Sequence, residues 1–214
     1  DASLGWHPFI DSSWEQQVTE WSNINIWIGL YKIPYENVNI KNFYEFKHHL
    51  PLNESNKLGF ASRCEGRKNP HFLDEKQSYI FTNSEEFKVI WKNGVKVDVS
   101  KSKIYHYDSQ FKNMFYNMDW GISHSCFSVE PFGYGIFEAV DRGKLPIIHK
   151  EWCTNLEYPY RASNKKEFDD IYTKIVNSSY EEKNKWFLKI KKYMINEFSN
   201  KQQWIDSLIN IYNT

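Results

Sequence analysis

Cysteine is scarce in this chain. Cys64, Cys126 and Cys153 form neither a close pair nor a zinc-type spacing. That excludes a disulfide framework and points to a reducing compartment, read here as cytoplasmic. Long apolar runs are missing as well: no stretch is long enough to cross a bilayer, and no secretory leader is recognisable. Neither charge is in excess, with 27 Lys and Arg against 27 Asp and Glu, so no global field draws the chain to nucleic acid or to a membrane. No G-x-G-x-x-G and no Walker-type lysine loop occurs where a nucleotide cofactor would need one. The histidines stand in no triad-like or metal-like spacing. Structural roles are expected for His71, His106 and His149, while His124 is open between site wall and structural residue. The chain begins at Asp1 rather than Met, so an upstream segment is expected.

Aromatic residues are plentiful: nine Trp, fourteen Tyr and fifteen Phe in 214 residues. That length accommodates one large domain, or one and a fragment, with ample core. Residues 1–23 are polar and Trp-rich, which reads as loop with a short helix near Trp14 to Trp21. Ile24, Ile26 and Ile28 alternate with polar or bulky neighbours as in a strand, and Val38 and Ile40 form a second, shorter one. Pro51 to Asn56 is a polar connector. Residues 1–56 are thus read as a linker or the end of a preceding domain, and 57–214 as the main domain.

From Lys57 strands and helices alternate. Strands are expected at Lys57–Ser62, Ser78–Thr82, Lys103–Tyr107, Trp120–Ser123 and Leu145–Ile148. Helices are expected through Phe72 and Leu73, at Ser84–Trp91, at Ser109–Met118 and from Gly133 onward. This order argues an α/β fold, a parallel sheet with helices on both faces. Phe168, Ile171, Tyr172, Ile175 and Val176 then line one side of a helix. Ser178 and Ser179 each precede a glutamate by three positions, a capping-box pattern for the next helix. Its lysines, Lys183, Lys185, Lys189, Lys191 and Lys192, read as a solvated face. Trp204 to Tyr212 makes a closing helix.

In open α/β sheets ligands bind beyond the carboxyl ends of the strands. Two loops of interest fall there. The first, Arg63 to Lys68, follows the first strand and brings cations, with Arg67 as a solvated neighbour. The second, Glu130 to Gly135, follows the fourth and brings two carboxylates, Glu130 and Glu138, with a helix N-terminus whose free amides favour an anion. Arginine grips phosphate bidentately and lysine adds a point charge, while carboxylates accept from hydroxyls. A nucleotide sugar carries all of these groups.

The spacing Glu130-x7-Glu138, with Phe132-Gly133 inside it, resembles the E-x7-E signature of retaining GT-B-fold glycosyltransferases, and Arg63-x4-Lys68 resembles their R-x4-K element. The resemblance spans roughly Lys57 to Val176. It implies a GT-B C-terminal half: a Rossmann-like, nucleotide-sugar-binding domain closed by C-terminal helices. Arg63 and Lys68 would hold the donor diphosphate and stabilise charge on the leaving group. Glu130 would contact the donor sugar beside the amides of Phe132, Gly133 and Tyr134. Glu138 would bind the ribose hydroxyls, and Tyr107 would lie near the base. Such enzymes use no metal and no cofactor beyond the nucleotide-sugar donor, most commonly a UDP-sugar such as UDP-glucose; the D-x-D metal pattern of the other large sugar-transferase fold is absent. The leaving phosphate takes the acceptor's proton, so no protein nucleophile is demanded. Gly143-x-x-Pro146 is similar to the bacteriophage α-glucosyltransferases that modify DNA bases. The acceptor-binding half is expected upstream or on a separate chain, and the acceptor (glycan, protein, lipid or modified DNA) stays open. The alternative is a non-catalytic nucleotide-sugar or phosphate-binding module that works with a partner chain.

Overall fold

The computed structural model describes residues 2–5, 24–27, 38–39, 43–62, 68–82, 100–106, 109–128 and 132–212. Three short strands, β1 (Ala2–Gly5), β2 (Ile24–Trp27) and β3 (Val38–Asn39), form a parallel sheet in that order. The alternation at Ile24 to Trp27 forms a strand as expected. Ala2–Gly5 was expected as loop; four residues with a single large apolar side chain carry too little periodicity to show a strand. The helix expected near Trp14 to Trp21 and the helix expected at 84–91 lie outside the described residues.

The main sheet has six parallel strands: β4 (Leu58–Ala61), β5 (Ser78–Thr82), β6 (Lys103–His106), β7 (Ile122–Ser125), β8 (Leu145–His149) and β9 (Arg161–Ala162). Their spatial order is β6-β5-β4-β7-β8-β9. Counted from β4 this is 3-2-1-4-5-6, the doubly wound Rossmann-like order. Among the described residues the helices are α1 (Ser109–Tyr116), α2 (Tyr134–Asp141), α3 (Lys165–Asn177), α4 (Tyr180–Phe198) and α5 (Lys201–Tyr212).

Alternating side chains of the strands meet helices on both faces. On one face Phe60 and His124 meet Phe72 and Phe168 of α3. On the other, Phe81 stacks on Phe115 of α1, which with Tyr116 and Trp120 forms an aromatic cluster. Three local expectations need correction. Phe72 and Leu73 lie in a single 3-10 turn, Pro70–Leu73, rather than a full helix, because the chain turns at once into β5. Trp120 sits before β7, its indole N–H donating to Phe115 O at 2.8 Å. Of the two capping serines, Ser179 takes the role, accepting from Glu182 N at 3.2 Å.

Residues 43–57 lie along the main domain as a strap. The carboxylate of Asp141, at the end of α2, is fully buried and accepts from three successive amides, Lys47 N at 3.0 Å, His48 N at 3.0 Å and His49 N at 2.8 Å. Such a run of amides is an anion-binding nest. It offsets the poor match between a carboxylate and the negative end of a helix dipole. Further bonds join Leu50 N to Asp141 O, Asn53 N to Gly143 O and Tyr44 N to Phe198 O. At Gly143, φ is 75° and a Cβ would overlap the carbonyl of Pro51, so glycine serves both the left-handed cap of α2 and the strap's close approach. Among the lysines of α4, Lys185 and Lys192 are exposed as expected, and Lys183 and Lys191 correct the reading of a solvated face. Lys183 is buried and donates to Asn56 Oδ1 at 3.1 Å, Lys191 donates to Leu50 O at 2.9 Å, and Lys189 pairs with Glu157 at 2.5 Å.

Lys144, within Gly143-x-x-Pro146, is only 2% exposed. Its ammonium donates to Trp120 O at 2.6 Å and stands 4.5 Å from the Trp120 ring centre. Burial pushes its pKa from 10.5 down to about 8, with Asp119 offsetting part of the effect.

Two outcomes follow from these buried charges. Asp141→Ala strands three amides, and is expected to lower stability by about 3 kcal/mol, a drop of roughly 6–12 °C in a thermal melt. For Lys144 the folded state binds its proton less tightly than the unfolded state. Stability therefore rises with pH from about 8 to 10.5. Denaturant titrations across that window should show the parent gaining on the order of 1–3 kcal/mol relative to Lys144→Met, which lacks the titrating group.

Candidate functional site at the β4–β7 switch point

The strand order reverses between β4 and β7, and in doubly wound sheets the crevice outside such a point is where ligands bind. Pairing between these two strands covers only Leu58↔Ile122 and Gly59↔Ser123, whereas β4 pairs with β5 over four positions up to Ala61. Beyond Gly59 the two carboxyl ends are no longer bonded to each other along the ladder. The chain leaving β4 leads to Lys68, and the chain leaving β7 leads to Phe132 and α2. The described ends of the two stretches singled out from the sequence, Lys68 and Phe132 to Gly135, thus follow the two strands of the switch point. Arg63, Cys64, Arg67, Glu130 and Tyr107 themselves lie outside the described residues.

Asn69 ties the two loops together. It is 8% exposed and left-handed, with φ 50°. Its Nδ2 donates to Cys126 O at 2.8 Å and to Ser128 Oγ at 3.0 Å. Its carbonyl accepts from His124 Nε2 at 2.9 Å, and His124 Nδ1 accepts in turn from Cys126 N at 3.3 Å. Burial pushes His124 down to about 3, so it is a neutral imidazole with both nitrogens engaged. This settles the choice left open by the sequence in favour of a structural histidine. Lys68, one residue before Asn69, is 8% exposed, with its ammonium 4.6 Å from the Phe127 ring centre. That places one cation of the R-x4-K pattern against the loop that follows β7.

On the other side of the crevice, Gly133 adopts φ 81° and starts α2 with no side-chain cap. A Cβ on Gly133 would meet Ile136 Cδ1 at 2.8 Å. The first turn of α2 approaches the end of β4, since a Cβ on Gly135 would stand 3.6 Å from Ala61 O. Phe132 is buried and stacked on Phe137 at 4.5 Å, so its ring is turned into the core. The Tyr134 ring is 52% exposed beside it. Glu138 lies farther along α2. Its carboxylate pairs with Lys112 of α1, and Tyr116 OH donates to it at 3.4 Å. Arg142 extends this group, donating to Asn113 Oδ1 at 2.7 Å and lying 4.8 Å from the Tyr116 ring centre.

The structure therefore brings Lys68, Phe132, Gly133, Tyr134 and Glu138 onto elements that leave two adjacent strands. Asn69 and Lys112 escaped the sequence reading. Asn69 had a signal, since Asn-Pro marks a turn and asparagine tolerates the left-handed region. Lys112 had none, because its partner lies 26 residues away. Cys126 is buried, its thiol donating to Ala162 O at 2.8 Å, and acts as a small filler. Tyr105 packs toward Phe115 rather than standing free at the strand end. Among the described residues no group of three His, Cys, Asp or Glu side chains is placed to hold a metal ion, and no helix is long and apolar enough to cross a membrane.

No family model matches the chain, and no curated protein matches it in sequence. The six-stranded parallel sheet, its strand order and its flanking helices define an α/β Rossmann-like fold of the kind found in a glycosyltransferase. That neighbour is AviGT4, a glycosyltransferase involved in avilamycin A biosynthesis, whose crystal structure is similar with a TM-score of 0.59. The likeness covers 88% of this chain and 67% of AviGT4 at 7% sequence identity, and so it is a likeness of fold.

Asn69 gives a test of the site's architecture. Asn69→Ala removes both amide bonds and places alanine in the left-handed region, and should lower stability by about 2–3 kcal/mol. Asn69→Gly keeps the backbone conformation and should recover about 1 kcal/mol of that loss. Chemical denaturation of the three proteins measures both differences.

Proposed function

We propose that this chain is the nucleotide-sugar-binding, C-terminal half of a retaining, metal-independent GT-B glycosyltransferase. What supports the reading is that the chains leaving β4 and β7, the two strands of the switch point, run to Lys68 and to the Gly133 turn, the described ends of the two sequence motifs. In this reading Arg63 and Lys68 neutralise the donor diphosphate. The amides at the start of α2 face the donor beside Glu130. Glu138 accepts from the ribose hydroxyls, with Lys112 and Tyr116 holding its carboxylate in place, and Tyr107 lies near the base. Tyr134 offers an exposed ring at the mouth of the site. The bond from the anomeric carbon to the diphosphate oxygen breaks, the acceptor oxygen bonds to the same face of that carbon, and the acceptor proton passes to the leaving phosphate. Lys68 and Arg63 contribute by stabilising negative charge on that phosphate. A UDP-sugar is the proposed donor, and the acceptor half is supplied by other residues of the protein or by a partner chain.

The Lys112–Glu138 ion pair favours a second reading. A ribose-binding carboxylate that already has a cation beside it would suit a module that binds a nucleotide sugar or phosphate without transferring it. Sugar transfer to any acceptor, once an acceptor half is supplied, separates the two.

Isothermal titration with UDP, GDP and ADP is the direct test. One diphosphate should bind with micromolar affinity, and Arg63→Ala, Lys68→Ala and Glu138→Ala should each weaken it by about tenfold or more. Unchanged affinity in all three variants would rule out the donor site as assigned.

A further inference from the structure

The turn that starts α2 is held from outside by a residue that neither motif contains. Trp152 is 1% exposed, and its indole N–H donates to Phe132 O at 3.0 Å, across 20 residues of sequence. That carbonyl belongs to the peptide joining Phe132 to Gly133. The peptide unit is planar, so fixing its C=O also fixes the opposed direction of Gly133 N–H. Gly133 then takes its left-handed conformation, and the amides of α2 follow from it. The Trp152 nitrogen would also lie 3.2 Å from a Cβ at Gly133, so the indole touches the turn itself.

Trp152 is fixed in its own right. The loop after β8 is gathered by one guanidinium. Arg161, on β9, donates to the carbonyls of Trp152 at 2.6 Å, Cys153 at 2.7 Å and Leu156 at 2.7 Å, and to Lys150 O at 3.2 Å. Arginine's five donors in a rigid fork suit this multiple grip, which lysine cannot reproduce. Trp152 N adds a bond to His149 O at 3.1 Å. The chain of support therefore runs from Arg161, through the loop, to the indole and then to the Phe132–Gly133 peptide.

We propose that Trp152 is a positioning residue for the donor site, setting the direction in which the first turn of α2 presents its amides to a nucleoside diphosphate, with Arg161 holding Trp152 in place. The inference rests on the donor-site reading above. Trp152→Phe keeps an aromatic ring in the core but removes the N–H donor together with the volume of the second ring, which is why the exchange of α4 is read beside it, and Arg161→Lys keeps the charge and removes the fork. The whole 214-residue chain carries each change. Two readouts are needed: titration with UDP, GDP and ADP, and hydrogen exchange of the amides at 133–136 compared with those at 187–194 in α4.

In Trp152→Phe the amides at 133–136 should exchange about tenfold faster, with those at 187–194 unchanged, and the diphosphate that binds the parent should bind about tenfold more weakly. Arg161→Lys should move both readouts in the same direction. Unchanged exchange at 133–136, or an equal acceleration in α4, overturns the proposal, the latter because it reports general destabilisation. Faster local exchange with undiminished affinity overturns it as well. If the parent binds none of the three diphosphates, the donor reading fails, while faster exchange confined to 133–136 still upholds Trp152 as the anchor of the turn.

Discussion

The reversal of strand order between β4 and β7 is the constraint on which the rest of the site depends. Two parallel strands that are adjacent in space but far apart in sequence send their connections to opposite faces of the sheet. The chain after β4 therefore departs one way and the chain after β7 the other, leaving a crevice between them. Here the crevice is narrowed on one side by Asn69 and His124, which bond across it, and bounded on the other by the first turn of α2. The buried neutral imidazole suits this place. A charged histidine would need a partner among Phe60, Phe72, Phe127 and Phe168, none of which provides one.

The second organising interaction lies at the other end of α2. Asp141 gathers the amides of residues 47–49, and Lys183 and Lys191 reach the same segment from α4. A helix this short has little stability of its own. α2 is held at its start by Trp152 and Gly133, at its end by the strap, and along its length by the stack of Phe137 on Phe132 and the edge contact with Phe198.

Much of the fold was legible in the sequence, for a simple reason. The strands and helices of the main domain each bury a face, and burial imposes a period that single residues reveal. Ser78–Thr82 and the stripe from Phe168 to Val176 were read directly in this way. The elements that escaped are too short to carry a period, Ala2–Gly5 and Arg161–Ala162 among them. The loops around the candidate site stand out in the sequence because their residue types are unusual in combination. Their supports do not. Asn69, Lys112 and Trp152 act on partners distant in sequence, Arg161 on backbone carbonyls of the loop before it, and no local pattern announces such a pairing. The lysines of α4 show the same limit from the other side. By composition they resemble a solvated face, and only the strap passing beneath them turns two of them into fasteners.

The strap also has a mechanical meaning. An α-helix of eight residues is a rod about 12 Å long, and α2 has the strap bonded to its last residue and the crevice at its first. Three bonds of 2.8 to 3.0 Å share the one Asp141 carboxylate, so a displacement of residues 47–49 that keeps them carries the end of the rod with it. The segment that precedes the main sheet is thus fastened to the last residue of the same short helix whose first turn lies beside the end of β4.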